Sequence, residues 1–200
     1  MKLTRRSFFN SALAGGLVFR AGGAEARSPN SKSISTKGLT KADLPTPALL
    51  VDLNRFEANI KLMADHCRQA CFGFRPHAKT HKCPEIAKRL IAAGASGICV
   101  ATVPEAEAMV GAGIPGVLLT SPIVDKNKIA RMAELARKGR GVMLSVGHRL
   151  EVERLAEAAE GRRITVDVLI DVDVGDRRTG ILPGEPALEL ARLIGQRKRL

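Results

Sequence analysis

Five basic side chains crowd the ten-residue stretch Phe74–Cys83, which reads FRPHAKTHKC. Side chains of an extended strand alternate between its two faces, so an extended stretch would present Arg75, His77, Lys79 and His81 on one face. Neighbouring positive charges disfavour the ammonium form of a lysine and leave more of the free amine, which attacks carbonyl groups. We therefore select Lys79 as the candidate catalytic residue.

Two other interpretations of this stretch stay open. On spacing alone, a row of basic residues on a strand edge is more typical of a solvated face or an anion-binding patch. A metal site is disfavoured, although His77, His81 and Cys83 are all ligand types. The two histidines would lie roughly 13 Å apart on a strand, at ~3.3 Å per residue, which is too far to share one ion. Pro76 and Pro84 leave little room for a helix that would bring them closer.

Three stretches carry a resemblance to a known family. The octapeptide Arg75–Lys82 resembles the cofactor-lysine strand of the D-threonine aldolase and D-serine dehydratase family. The stretch Asp171–Gly180 contains the family's D-x-G-x-x-R-x-G pattern, and residues 98–113 agree with the family in order and spacing. These relatives are fold-type III enzymes of pyridoxal 5′-phosphate (PLP) with an alanine-racemase-like barrel. The resemblance covers roughly residues 44–200, which match only the N-terminal part of such an enzyme.

The resemblance implies roles for individual residues. Lys79 would bind PLP covalently, and His77 and Arg178 would also bind the cofactor, with Arg178 beside its phenolic oxygen. The residues alone leave a second interpretation of Arg178 open, a strand-end salt bridge to Asp171 or Asp173. In the family, a divalent metal is held by a C-terminal β-domain, and the PLP phosphate is held late in the barrel. No residue here maps onto those positions, so we assign no metal ligand and no phosphate ligand.

From Phe74 onward, short apolar runs alternate with amphipathic helical segments. Five strands are predicted, each followed by a helix: Phe74–Cys83, Ile98–Thr102, Val117–Ser121, Val142–Val146 and Thr165–Val174. The last is expected to be the longest, with Asp167, Asp171 and Asp173 on one face. Such units predict parallel strands with crossover helices. No GxGxxG follows a strand, which disfavours a dinucleotide-binding open sheet. By resemblance, the fold class is α/β, a partial (β/α)8 TIM-like barrel of the alanine racemase N-terminal type with about five βα units.

The segment before the lysine stretch is expected to add one strand and one helix. Ala48–Asp52 is an apolar strand candidate that follows two prolines. Asn54, with Glu57 three residues later, has the spacing of a capping box that opens a helix. An apolar stripe at helical spacing predicts the buried face of this helix. Its members are Leu53, Phe56, Ile60, Met63 and Cys67.

The N-terminus has the organisation of an export leader. Residues 1–26 contain a twin-arginine-like motif at Arg5 and Arg6, an apolar run, and small residues typical of a cleavage site. They predict a periplasmic or secreted protein with no permanent membrane anchor. Residues 27–43 are predicted to be a flexible linker before the barrel domain at 44–200. The formal net charge is +12, but the basic residues lie scattered without aromatic partners, which argues against a nucleic-acid partner.

The resemblance implies a PLP-dependent lyase that acts on β-hydroxy D-amino acids, of the D-threonine aldolase or D-serine dehydratase type. The substrate would be a small amino acid, and the complete enzyme would be a homodimer. In the dehydratase variant, the freed amine of Lys79 would also take the α-proton. Two alternatives stay open, a PLP-dependent amino-acid racemase and an inactive truncated fragment. We expect Met1–Leu200 alone not to be a stable, active enzyme, because an unclosed parallel sheet leaves backbone groups unpaired at its edges.

Overall fold

The computed structural model describes Gly38 and residues 40–200. The chain divides into two compact units, Met1–Leu50 and Val51–Leu200. The leader and most of the linker lie outside the described residues, so both stay predictions. In the described part of the first unit, Lys41–Asp43 forms a single turn of 3₁₀-helix. The amide and the hydroxyl of the preceding threonine both donate to the carboxylate of Asp43 at 2.7 Å.

Four parallel strands form the sheet of the second unit, in the order β1-β2-β3-β4. They are β1 (Ile98–Val100), β2 (Val117–Leu119), β3 (Met143–Val146) and β4 (Asp167–Ile170). Cys99 pairs with Leu118 across β1 and β2, and Ser145 pairs with Leu169 across β3 and β4. Parallel neighbours need a crossover connection, which a helix supplies between each pair of strands. The predicted α/β architecture is confirmed.

Six α-helices lie in the described part of the second unit. They are α1 (Leu53–Gln69), α2 (Pro84–Ala92), α3 (Val103–Gly111), α4 (Lys126–Lys138), α5 (Arg149–Arg162) and α6 (Glu185–Gly195). Several begin at residue types that favour helix starts, because Pro84 occupies the first position of α2 and Thr102 and Asp125 cap α3 and α4. Within the described residues, no helix combines the length and the apolar composition that crossing a membrane requires.

The core lies between the sheet and its crossover helices. All three residues of β2 are buried, as expected of a parallel strand covered on both faces. Val117 and Leu119 share one apolar cluster with Met109 of α3, Met132 of α4 and Leu155 of α5, and none of these three helix residues is more than 1% exposed. Burial of each such side chain stabilises the fold by roughly 1.5–3 kcal/mol. This packing fixes the strands whose carboxyl ends carry the candidate site.

The strand predicted at Phe74–Cys83 is wrong beyond its first residues. Ser96 donates to the carbonyl oxygen of Phe74 and Cys99 to that of Pro76, both at 2.9 Å, so the chain begins to pair with β1. Proline has no backbone N–H to donate, and the pairing stops at a single bridge formed by His77. Ala78–Thr80 then turns into a 3₁₀-helix. The alternation of side chains between two faces ends there.

The strand predicted at Thr165–Val174 is shorter than expected. The segment β4 has four residues, the same number as β3, so it is not the longest strand. Beyond it, Val172 bridges to Ile181, and the chain folds back on itself. The three aspartates predicted to share one strand face therefore separate. Asp167 is exposed at the start of β4, whereas Asp171 and Asp173 lie in the loop that follows.

The segment before the lysine stretch differs from its prediction in two ways. Ala48–Asp52 forms no strand. Helix α1 begins two residues earlier than expected, because the carboxylate of Asp52 accepts a hydrogen bond from the Arg55 amide at 3.0 Å and caps it. Its buried residues are Ile60, Ala64 and Cys67, whereas Leu53 and Met63 of the predicted stripe are more than half exposed.

Candidate active site

An open cleft of about 560 Å³ lies at the carboxyl ends of the strands. Its lining includes all three residues that the sequence selects for cofactor chemistry, Lys79, His77 and Arg178. They come from two distant motifs, and the parallel sheet brings them to one edge. In α/β barrels this edge carries the active site, because the loops that follow the strands converge there.

Lys79 sits on the 3₁₀-helix, with its side chain exposed to the cleft. The turn is capped by His77, whose Nδ1 accepts a hydrogen bond from the Lys79 amide at 3.2 Å. The other ring nitrogen, Nε2, lies 3.2 Å from the hydroxyl oxygen of Thr120 at the end of β2. His77 therefore links the turn that carries Lys79 to the sheet.

The hydrogen bonds of His77 select one protonation state. Since Nδ1 accepts a backbone hydrogen, the neutral ring carries its own hydrogen on Nε2. Burial lowers the pKa of His77, the positive charge of Lys79 lowers it further, and the carboxylate of Glu105 acts in the opposite direction. A neutral imidazole next to Lys79 is compatible with a reactive amine, because it adds no positive charge of its own.

The other two basic residues of the predicted row do not line the cleft. The guanidinium of Arg75 donates to the carbonyl oxygen of Gly116, which precedes β2 and lies at the opposite end of the sheet. His81 is half-buried, and its Nδ1 accepts a hydrogen bond from the Cys83 amide at 3.0 Å. The prediction of four basic groups on one face is wrong, because the strand ends at His77. Within the described residues, no three His, Cys, Asp or Glu side chains are arranged to hold a metal.

Lys82 is held away from the cleft by a buried carboxylate. Its ammonium lies 3.3 Å from Oε1 of Glu105, which is 9% exposed in the first turn of α3. The second oxygen, Oε2, accepts a hydrogen bond from the Ala101 amide at 2.9 Å. Burial by itself would raise the pKa of Glu105, but the hydrogen bonds from Ala101 and Lys82 outweigh it and lower that pKa. This ion pair attaches the end of the lysine stretch to the end of β1.

Arg178 reaches the cleft from a loop that closes on itself. Oδ1 of Asp173 accepts hydrogen bonds from the amides of Arg177 at 3.0 Å and Gly175 at 2.9 Å. These bonds hold the pKa of Asp173 below its usual value. Gly180 has a φ of +95° and packs so closely that a Cβ there would lie 2.8 Å from the Asp173 amide nitrogen. Among the described residues, no carboxylate forms an ion pair with Arg178, so the salt bridge considered from the sequence is absent from this part of the chain.

Several cleft residues were missed in the sequence. Four of them are hydroxyl residues: Thr120, Ser121, Ser145 and Thr179. The hydroxyl of Ser145 donates to the Thr120 carbonyl oxygen at 3.1 Å, and the hydroxyl of Thr120 donates to the Val100 carbonyl oxygen at 3.1 Å. A usable signal was present, because Thr120 and Ser121 directly follow the apolar triplet of β2. Polar residues in that position reach the edge where barrel sites lie.

The same fold and motifs occur in a known family. The family model for the alanine racemase N-terminal domain matches residues 51–200. The chain belongs to this family. This result confirms both the predicted resemblance and the partial barrel of the alanine racemase N-terminal type.

Relatives of this chain include two kinds of lyase. It is 38% identical over 151 residues to a D-threonine aldolase from an Arthrobacter species, a match covering 76% of this chain and 40% of that protein. It is 31% identical over 152 residues to a D-threo-3-hydroxyaspartate dehydratase from a Delftia species, again covering 76% and 40%. The structure of a D-threonine aldolase from Filomicrobium marinum superimposes with a TM-score of 0.77 at 41% identity, covering 80% of this chain and 43% of that one. The chain thus spans about two fifths of the length of these relatives.

Proposed function

We propose that this protein is a PLP-dependent lyase for β-hydroxy D-amino acids, and that its reaction is the aldol cleavage of D-threonine or a close analogue. The observation that carries the proposal is the convergence of Lys79, His77 and Arg178 on one cleft at the carboxyl edge of the sheet. The identities support D-threonine in particular, since they are higher to the two D-threonine aldolases than to the D-threo-3-hydroxyaspartate dehydratase.

The residues present fit PLP. An aldehyde needs an accessible amine, and the side chain of Lys79 is exposed in the cleft. An anionic oxygen needs a cation that is not neutralised by a protein carboxylate, and Arg178 meets that condition among the described residues. When bound, PLP supplies an electron sink for the negative charge that develops at the substrate α-carbon.

The protein's own groups then have separate tasks. Lys79 would attach the cofactor through its amine. In aldol cleavage that amine is the base available to take the β-hydroxyl proton and to return it to the α-carbon after the Cα–Cβ bond breaks. Arg178 supplies positive charge from the loop side of the cleft. His77 has both ring nitrogens engaged, so its task is to hold the turn of Lys79 rather than to exchange protons.

Borohydride reduction of the PLP-loaded full chain, followed by peptide mapping, tests the attachment site. We expect the pyridoxyl label on Lys79 and its loss in Lys79→Arg. Lys82→Arg is the matched control, because Lys82 belongs to the same stretch but pairs with Glu105 outside the cleft. A label that persists in Lys79→Arg and disappears in Lys82→Arg would overturn the assignment.

Product analysis tests the reaction. Incubation of the complete enzyme with PLP and D-threonine, with and without an added divalent cation, should yield glycine and acetaldehyde in equal amounts. The appearance of 2-oxobutanoate and ammonia instead would mean that the protein is a dehydratase. Inversion at the α-carbon without cleavage would favour the racemase alternative and contradict the lyase proposal.

We also propose that the protein is exported by the twin-arginine route. The support is the order of three signals in residues 1–26, a pair of arginines, an apolar run and small residues before a cleavage site. Fusing this segment to a reporter that works only outside the cytoplasm should give activity. Replacing Arg5 and Arg6 by lysine should abolish the activity, and export that survives this change would contradict the proposal.

A further inference from the structure

We propose that Thr120 is a positioning residue for Lys79 and that it acts through the imidazole of His77. This inference rests on the proposed function of Lys79 and adds a residue outside every motif that the sequence singles out. No hydrogen bond joins Thr120 to Lys79 directly. It lies at the end of β2, half-buried, with its hydroxyl facing His77 across the cleft.

The direction of each hydrogen bond is determined by the Thr120 hydroxyl. A hydroxyl has one hydrogen, and that of Thr120 goes to the carbonyl oxygen of Val100 at 3.1 Å. Its oxygen is then left to accept, and the partner at 3.2 Å is Nε2 of His77. Nε2 must therefore carry the hydrogen of the neutral ring. Nδ1 is then free of hydrogen and accepts from the Lys79 amide at 3.2 Å.

The result is a one-way series of hydrogen bonds from the Lys79 turn to the centre of the sheet. His77 and Thr120 each donate one of these hydrogen bonds and accept another, so reversal at either residue would put two hydrogens or two lone pairs face to face. Thr120 is itself fixed, because its amide also donates to the Val100 carbonyl oxygen at 3.0 Å and its own carbonyl accepts the hydroxyl of Ser145. These hydrogen bonds attach the turn that carries Lys79 to β1, β2 and β3.

Charged groups around His77 favour the same arrangement. Lys79 on the 3₁₀-helix disfavours a positive ring, and Glu105 on α3 favours it more weakly. Asp171 and Arg178 face the cleft from the loop after β4. A proton added at Nδ1 would displace the Lys79 amide, so the ring must stay neutral for the turn to stay capped.

Nitrogen-15 NMR of the histidine rings in the full chain, without cofactor, tests the link directly. The chain has four histidines, and a His77→Gln variant assigns the His77 signals. In the wild type we expect His77 in the Nε2–H form. Thr120→Val keeps the shape of the side chain but removes the acceptor of the Nε2 hydrogen. The His77 ring should then sample several orientations, and its nitrogen-15 signals should move to averaged positions. The exchange of the Lys79 amide hydrogen should become roughly tenfold faster, the factor that corresponds to one net hydrogen bond.

Two further variants separate positioning from general destabilisation. Thr120→Ser keeps the hydroxyl and should restore both the His77 signals and the Lys79 exchange rate. Ser121→Ala removes a neighbouring cleft hydroxyl that makes no hydrogen bond to His77, and should change neither. If Thr120→Val does not fold, Thr120→Ala provides the same loss of the acceptor with less steric change. Unchanged His77 signals or unchanged Lys79 exchange in the folded variant would overturn the proposal.

The rate at which PLP attaches to Lys79 tests whether the hydrogen bond between Thr120 and His77 matters for function. In Thr120→Val, pyridoxyl labelling of Lys79 should slow by roughly tenfold, and Thr120→Ser should label at close to the wild-type rate. Normal labelling in Thr120→Val, with wild-type protein labelled as expected, would overturn the positioning role. If the wild-type protein takes up no PLP, the proposed function fails, while the cofactor-free NMR and exchange measurements still decide the role of Thr120.

Discussion

The guanidinium of Arg75 donates a hydrogen bond to the carbonyl oxygen of Gly116, directly before β2. This bond attaches the start of the lysine stretch to the end of the sheet that lies opposite the candidate active site. Arg75 therefore contributes to the fold, whereas Lys79, four residues later, contributes to the cleft. The two roles can be separated by mutation.

Replacing Arg75 by methionine should lower the free energy of unfolding by roughly 1–3 kcal/mol, because a charged hydrogen bond to a carbonyl is lost. Urea unfolding measures this change. Arg55→Met is the matched control, since Arg55 is an exposed residue of α1 whose loss should cost within about 0.5 kcal/mol. Pyridoxyl labelling of Lys79 should stay normal in Arg75→Met. Normal stability combined with failed labelling would place Arg75 in the site and contradict this separation.

Gly97 should tolerate no side chain, because the contact between Arg75 and Gly116 fills the space beside it. A Cβ at Gly97 would collide with both the Arg75 guanidinium and the Gly116 carbonyl, and its φ is +153°. We expect Gly97→Ala to destabilise the fold by roughly 3 kcal/mol or more. Gly94 is the control, because it also has a positive φ, +104°, but a methyl group there would meet no other atom within 4 Å. Gly94→Ala should lower the free energy of unfolding by only about 1–2 kcal/mol, because it strains the backbone without a collision. Equal losses of stability in the two variants would contradict this account.

The parts of this fold that depend on local sequence were predictable. The apolar triplet of β2 and the caps at Thr102 and Asp125 give strands and helices from neighbouring residues alone. Lys79 and Arg178 were found because their motifs resemble a known family, and the parallel topology then brings them to one edge.

The parts that failed depend on contacts between distant residues. The lysine stretch has the alternation of a strand, but the ring of His77 caps a turn and ends the pairing with β1. Proline at position 76 was a local warning of this break, since it cannot donate to a neighbouring strand. The position of Thr120 directly after β2 indicated that it reaches the cleft, but nothing local indicated its hydrogen bond to His77, which lies 43 positions away in the chain.

Glu105→Gln tests the buried ion pair that holds Lys82. The amide oxygen can still accept from Ala101, but the attraction to the Lys82 ammonium is lost, so we expect a loss of roughly 1–3 kcal/mol at neutral pH. Because folding lowers the pKa of Glu105 from 4.5, its charge stabilises the fold above pH 4.5, and this contribution is lost as the pH falls below it. The difference between wild type and variant should therefore shrink below pH 4.5. Glu85→Gln, which breaks the exposed pair with Lys88, should have almost no effect at neutral pH.

Two histidines should make the fold sensitive to mildly acidic pH. Burial lowers the pKa of both His77 and His81 from 6.5. Between the lowered value and 6.5 the unfolded chain binds more protons than the folded one, so stability decreases as the pH falls below 6.5. Urea midpoints measured at pH 7.5 and 5.5 should show this decrease. The His77→Gln, His81→Gln double variant should show less of it, and an identical decrease in wild type and double variant would contradict the assignment.

Arg178 should act on the cofactor and not on the fold. Among the described residues its guanidinium has no ion-pair partner, and the loop around it is held by the Asp173 carboxylate through the amides of Gly175 and Arg177. Arg178→Ala should therefore change the free energy of unfolding little, within about 0.5 kcal/mol, because no hydrogen bond or ion pair among the described residues is lost. Retention of PLP during dialysis should weaken by roughly tenfold or more, since one charge-assisted contact to an anionic oxygen is removed. Arg177→Ala is the matched control, because Arg177 is the adjacent arginine in the same loop but does not line the cleft. If both variants lose PLP equally, general attraction by the positive loop explains the binding of PLP. If Arg178→Ala unfolds while the protein that stays folded keeps PLP, Arg178 is a structural residue.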